Sequence, residues 1–161
     1  MITVKIIEGK ERKLIGMHME MSLIDNKTRN LFQKFMPRKK EITQAVSSEV
    51  FALQYYDLLN FTPQTIFEKW ACVEVTDFNN IPDEMESFTL EAGTYAVFTH
   101  IGTVTDFVKS FRYLLTEYLP TTSYYVDSRP HFEILGSAYL GPSNPKSEEE
   151  VWIPITLKKE L

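Results

Sequence analysis

The chain has 161 residues, 43% of them hydrophobic and 24% charged, the size and balance of one globular domain spanning 1–161 rather than a disordered or fibrous chain. Lys+Arg 17 against Asp+Glu 22 leaves a net charge of −5, which argues against direct nucleic-acid binding, because that needs a basic footprint to displace counterions. No apolar run approaches the roughly 18 residues of a membrane span and the N-terminus lacks a signal-peptide core, so no membrane association is expected and the chain reads as cytoplasmic.

In chain order, the alternation in KLIGMHMEM predicts a strand over 13–21. Asp25 or Asn26 then caps a helix in which Leu31, Phe32, Phe35 and Met36 share one face, with Pro37 ending or kinking it. Strands are expected over 49–56 (EVFALQYY) and 67–75 (FEKWACVEV), separated by the loop signal Asn60-Phe61-Thr62-Pro63. The second half opens with a strand over 94–101 (TYAVFTHI), ending at Gly102. Thr103 and Asp106 form a capping-box start to a helix striped by Val104, Phe107, Val108, Phe111, Leu114, Leu115 and Tyr118, closed by Pro120. Two more strands follow, over 131–135 and 151–157.

Each half thus reads strand, helix, strand, strand. The pattern predicts an α+β fold of duplicated β-α-β-β units, an antiparallel sheet with two helices on one face and a ligand cleft on the other. Cys72 is the only cysteine and can form no internal disulfide, which suits a reducing compartment. The aromatic content is 13%, with Phe 11, Tyr 8 and Trp 2, more rings than a core requires.

Alternation along each strand divides its residues between the two faces. Over 151–155, Val151, Ile153 and Ile155 face the helices and Trp152 the open side; over 67–75, Ala71, Val73 and Val75 face the helices and Trp70, Cys72 and Glu74 the open side. Over 131–135, Phe132 and Ile134 are assigned to the helices and His131, Glu133 and Leu135 to the open face. Phe98 and one of Tyr55 or Tyr56 complete the expected cleft: Trp70, Trp152, Phe98 and a tyrosine around Glu133. A carboxylate among rings suits a lipophilic cation, since the rings supply apolar area and quadrupole attraction while the carboxylate supplies the counter-charge.

The pieces KLIGM (13–17), FALQYYD (51–57), EAGTYAVFTHIG (91–102), EYLPTTSY (117–124), RPHFEIL (129–135) and EVWIPI (150–155) together resemble the GyrI-like effector-binding domain. That module is attached to many AraC-type and MerR-type multidrug regulators. The resemblance implies a cleft near a pseudo-twofold axis, with Glu133 pairing cationic or polar ligands and Trp70, Trp152 and one of Tyr55 or Tyr56 as pocket rings. Two positions depart from the family pattern: Leu31-Phe32 stands where relatives often have Leu-Trp, and Phe51-Ala52 where they often have Tyr-Gly. No segment is left over for a helix-turn-helix, so a stand-alone binder of small lipophilic or cationic molecules is expected, with no cofactor and no catalytic residue assigned.

Alternatives from other classes stand beside it. One is a hydrolase of reactive xenobiotics using Glu133 as general base with Tyr55 or Tyr56. Another is a protein partner, either a regulator or DNA gyrase, docking on Ser147, Glu148, Glu149 and Glu150; a homodimer is a further option. His18, His100 and His131 lack the spacing of a metal site, and no glycine loop cradles phosphate.

Overall fold

The computed structural model describes residues 2–55 and 62–158. Its elements are β1 (Lys5–Gly9), β2 (Arg12–Met21), α1 (Thr28–Phe35), β3 (Val50–Tyr55), β4 (Phe67–Val75), β5 (Glu86–Leu90), β6 (Gly93–Ile101), α2 (Val104–Tyr113), β7 (Tyr124–Val126), β8 (His131–Leu135) and β9 (Glu148–Leu157). The sheet runs β1-β6-β9-β8-β3-β4-β2-β5, with β7 added on β9, and every described pairing is antiparallel.

The duplication is visible in this order. From the centre outward, one unit runs β3, β4, β2 and the other β8, β9, β6, so a pseudo-twofold axis passes between β3 and β8. β5 extends the first unit and β1 the second. The strands β1, β5 and β7 escape the sequence reading because they are only three to five residues long and carry no sustained alternation.

The connections bend the sheet. β1 and β2 are joined by two residues, Lys10 and Glu11, yet lie six strand positions apart; Glu91 and Ala92 join β5 to β6 across the same span. In a flat sheet those positions would be about 29 Å apart. Three Cα steps reach at most about 11 Å. The sheet therefore curls until its outer strands approach each other. Its concave interior becomes a core of Leu14, Phe51, Leu53, Cys72, Leu90, Tyr95, Val97, Phe132, Ile134 and Trp152, flanked by Ile7, Trp70 and Phe88.

The convex face carries the helices. α1 packs on β2 and β4 and buries Leu31 and Phe35 against Ile15, Met17, Ala71 and Val73. α2 lies over β6 and shares a core with Ala96, Phe98, Val151 and Ile153 through Phe107 and Phe111. The expected capping box is present: the Thr103 backbone N–H and hydroxyl donate to Asp106 Oδ2 at 3.0 and 3.1 Å. The preceding Gly102 has φ +127°, and a Cβ there would lie 2.5 Å from the same carboxylate.

Two helix expectations differ in detail. Asn26 does not occupy the N-cap of α1, but its Oδ1 accepts the Thr28 N–H at 2.9 Å from one residue further out. Met36 leaves the buried face because the chain tightens into a 3₁₀ turn over Met36–Glu41, with Pro37 at its start. The stripe of α2 likewise ends in a π turn over Leu114–Tyr118 and a 3₁₀ turn, where Pro120 offers no N–H to continue the helix. No helix among the described residues is long and apolar enough to cross a membrane.

Candidate functional site

Residues directly opposite in an antiparallel ladder share a face, so the registers trace rows across the whole sheet. One row runs Val97, Trp152, Phe132, Leu53, Trp70, His18. These residues line the concave side. A second row runs Phe98, Val151, Glu133, Ala52, Ala71, Met17 on the helix side. Glu133 is thus on the opposite face of the sheet from Trp70 and Trp152.

This corrects the expected grouping. The assignments for Trp70 and Trp152 hold, but Phe132 and Ile134 belong to the concave core, which puts Glu133 and His131 under the helices. Phe98 is also on the helix side, 2% exposed beneath α2, and lines no open face. The cause is that both faces of the curled sheet are buried. Polarity along HFEIL or TYAVFTHI then gives no sign of which apolar set meets the helices. Tyr55 is on the concave side opposite Glu68 and is 53% exposed; Tyr56 lies outside the described residues.

Among the described residues the concave face is closely packed. Trp152, 6% exposed, stacks on Phe132 at 5.3 Å and meets Tyr95 edge-on at 5.4 Å. Its Nε1 donates to Glu150 at 2.6 Å. The cation among these rings is the protein's own: the Arg12 guanidinium is 5.4 Å from both the Phe51 and the Trp152 rings, and it donates to Glu74 at 2.9 Å. At the rim, His18 stacks on Trp70 at 4.4 Å and bonds Glu68 through Nδ1 and Glu86 through Nε2.

On the helix side the strip between α1 and α2 is different. Glu133 and Ala52 face each other across the pseudo-axis. The next row carries His131, Gln54, Lys69 and Met19. Gln54 Nε2 donates to Glu133 Oε1 at 3.2 Å, and Lys69 Nζ donates to Thr28 Oγ1 at 3.3 Å at the start of α1. α2 leans over the same strip: Phe111 approaches His131 at 6.1 Å and Phe107 meets His100 edge-on at 5.3 Å. Burial pushes the His131 imidazole down to about 4, so it is neutral near pH 7.

Glu149 is placed differently from the sequence expectation. It was grouped with Ser147, Glu148 and Glu150 as a loop surface, but this segment opens β9, and alternation sends Glu149 to the helix side beside Glu133. Ser147 is buried and its Oγ accepts the Leu140 N–H at 2.7 Å. Burial, and then the charge of Glu133, push Glu149 up to about 8, while Lys69 pulls it down. Among the described residues no salt bridge reaches Glu133 or Glu149.

The fold is a curled antiparallel sheet built of two β-α-β-β units, with Glu133 on its helix-bearing face next to the pseudo-twofold axis. The chain belongs to the Cass2 family of integron-associated effector-binding proteins, whose family model matches residues 5–155. It is 28% identical over 151 residues to the transcriptional regulator BrlR of Pseudomonas aeruginosa, covering 94% of this chain and 54% of BrlR, about half its length. An integron cassette protein from the mobile metagenome of Vibrio cholerae shares the fold at TM-score 0.66 and 18% identity, covering 95% of each chain. So does SAV2435, solved bound to tetraphenylphosphonium, at TM-score 0.64 and 16% identity over 96% of this chain and 94% of that one.

Proposed function

We propose that the chain binds a lipophilic organic cation in the strip between α1 and α2, with Glu133 as counter-charge. The observation that carries this reading is the contrast in charge pairing. On the concave side Glu74 pairs with Arg12, and Glu68 and Glu86 share His18, whose pKa they raise, whereas Glu133, half-buried on the pseudo-axis, is met by the Gln54 amide. A partly desolvated carboxylate with no ion-pair partner attracts a cation more strongly than one in water. Phe107 beside His100 and Phe111 beside His131, and the small sheet residues Ala52 and Ala71, suit an apolar body with a diffuse charge. Membership in an effector-binding family and the tetraphenylphosphonium bound by a structural neighbour support the same class of ligand.

The test is calorimetric titration with tetraphenylphosphonium and with neutral triphenylphosphine oxide. Glu133→Gln is expected to weaken the cation at least about tenfold, roughly 1.4 kcal/mol, and the neutral compound hardly at all. Equal losses for both compounds would rule out charge pairing at Glu133. Trp152→Phe serves as the control on the opposite face and should leave both affinities unchanged.

A further inference from the structure

The cleft floor holds a second carboxylate, and its position suggests a role of its own. Glu149 lies two residues before Val151, the ladder partner of Glu133, so the two glutamates are diagonal neighbours on one face of adjacent strands. Such neighbours have Cα atoms about 7–8 Å apart, within reach of each other's side-chain charge. The helix-side strands and the following loop supply the groups that face Glu149. β4 contributes Lys69, β6 His100, and β8 Glu133 and His131, while Tyr139 from the loop after β8 feels both carboxylates. His100, directly opposite in the ladder, is 3% exposed. Its Nε2 donates to the Thr103 carbonyl at 2.9 Å, and its buried Nδ1 has no partner among the described residues.

We infer that Glu149 is a second ligand carboxylate of this cleft and that the site takes up an organic cation in exchange for a proton. The inference rests on the cleft reading above and adds its coupling. Two carboxylates on one half-buried floor repel, so the empty pair keeps one proton near neutrality, on Glu149. A monocation entering above them replaces that proton as counter-charge. The proton passes from the Glu149 carboxyl to solvent, the pair goes from one negative charge to two, and the cleft keeps the same total charge. The site therefore selects for permanent cations, which cannot lose their charge, and binds them more tightly as pH rises.

Calorimetric titration of the full chain with tetraphenylphosphonium at pH 7, in phosphate and in Tris, reads the proton directly, because the two buffers differ in ionisation enthalpy. Release of most of a proton per cation is expected, with affinity rising about tenfold or more from pH 6 to pH 9. Glu149→Gln should still bind, with the release and the pH slope gone. Equal heats in both buffers, or undiminished release from Glu149→Gln, would overturn the inference while leaving cation binding intact. No binding at any pH from 6 to 9 would remove the cleft reading and this inference with it. Carbon NMR of the glutamate carboxyls in the unaltered protein makes the test independent of the variant's folding. One carboxyl should titrate near pH 8 in the free protein and move to lower pH with the cation bound; titration of every glutamate in the ordinary range would also overturn it.

Discussion

The two faces of this sheet use the same ingredients, rings and carboxylates, to opposite ends. On the concave side every strand of the curl sends apolar residues inward, and three sets of charged groups at its margin pair internally, Arg12 with Glu74, His18 with Glu68 and Glu86, and Arg129 with Asp127, while Glu150 accepts the Trp152 indole N–H. Arg129 also lies 4.7 Å above the Tyr95 ring and donates to the Thr94 and Ile155 carbonyls. On the helix side, two carboxylates rest between separately packed helices with an amide, two histidines and one lysine about them. A well-packed aromatic face builds stability, and on the proposed reading the carboxylates of the helix side leave attraction available for a ligand. The difference lies in where the cations are rather than in how many rings there are.

The largest effect that could break this comparison comes from the concave side. Phe132 stacks on Trp152 and on Phe51 and meets Tyr95 edge-on, so it ties both halves of the duplication together. Phe132→Ala should cost about 3–5 kcal/mol in denaturant unfolding, from lost burial plus the cavity left behind. Its near neighbour in the same ladder, Glu133→Gln, should change stability by much less. A Phe132→Ala cost no larger than that of Glu133→Gln would mean that the concave face is not the main core.

A smaller effect sharpens the point about cations. The Arg12 and Glu74 side chains are 15% and 13% exposed, and Arg12 lies over two rings. Arg12→Met should cost about 2–3 kcal/mol, because it removes the cation–π contacts and leaves Glu74 shielded from water without its partner. Adding Glu74→Met should recover a large part of that loss, since no stranded charge remains. A double variant no more stable than the single one would argue that the rings, rather than the ion pair, hold Arg12 in place.

The duplicated pattern was legible in the sequence wherever an element was long and one-sided. The capping box of α2, and the bounds of β4 and β8, follow from local pattern alone, and of the α2 stripe Phe107, Phe111 and Leu114 pack inward while Val104 and Val108 are exposed. What was not legible was anything set by the curl. Once both faces are buried, Phe132 and Glu133 alternate without revealing which meets the helices, and only the pairing of Val151 with Glu133 settles it. Glu133 could be singled out as a lone carboxylate in an apolar strand. Glu149 could not, because three consecutive glutamates read as a solvated run until β9 is known to begin there.

The smallest effect concerns the rim, where the concave face comes closest to resembling the cleft. His18 lies against Trp70 with a carboxylate at each ring nitrogen, an arrangement in which both nitrogens donate only when the ring is protonated. Burial works to lower its pKa, but the hydrogen bonds and charges of Glu86 and Glu68 outweigh it, and the folded-state value stands above the ordinary 6.5. A histidine raised in this way stabilises the fold fully below pH 6.5, and the contribution is lost as pH climbs through the raised folded value. In a Trp152→Phe background, Trp70 is the remaining indole, and imidazolium quenches indole emission more strongly than imidazole does. Emission should therefore rise with pH through a midpoint above 6.5, and Glu86→Gln should move that midpoint down. A midpoint at or below 6.5 would mean that the two carboxylates do not hold the proton on His18.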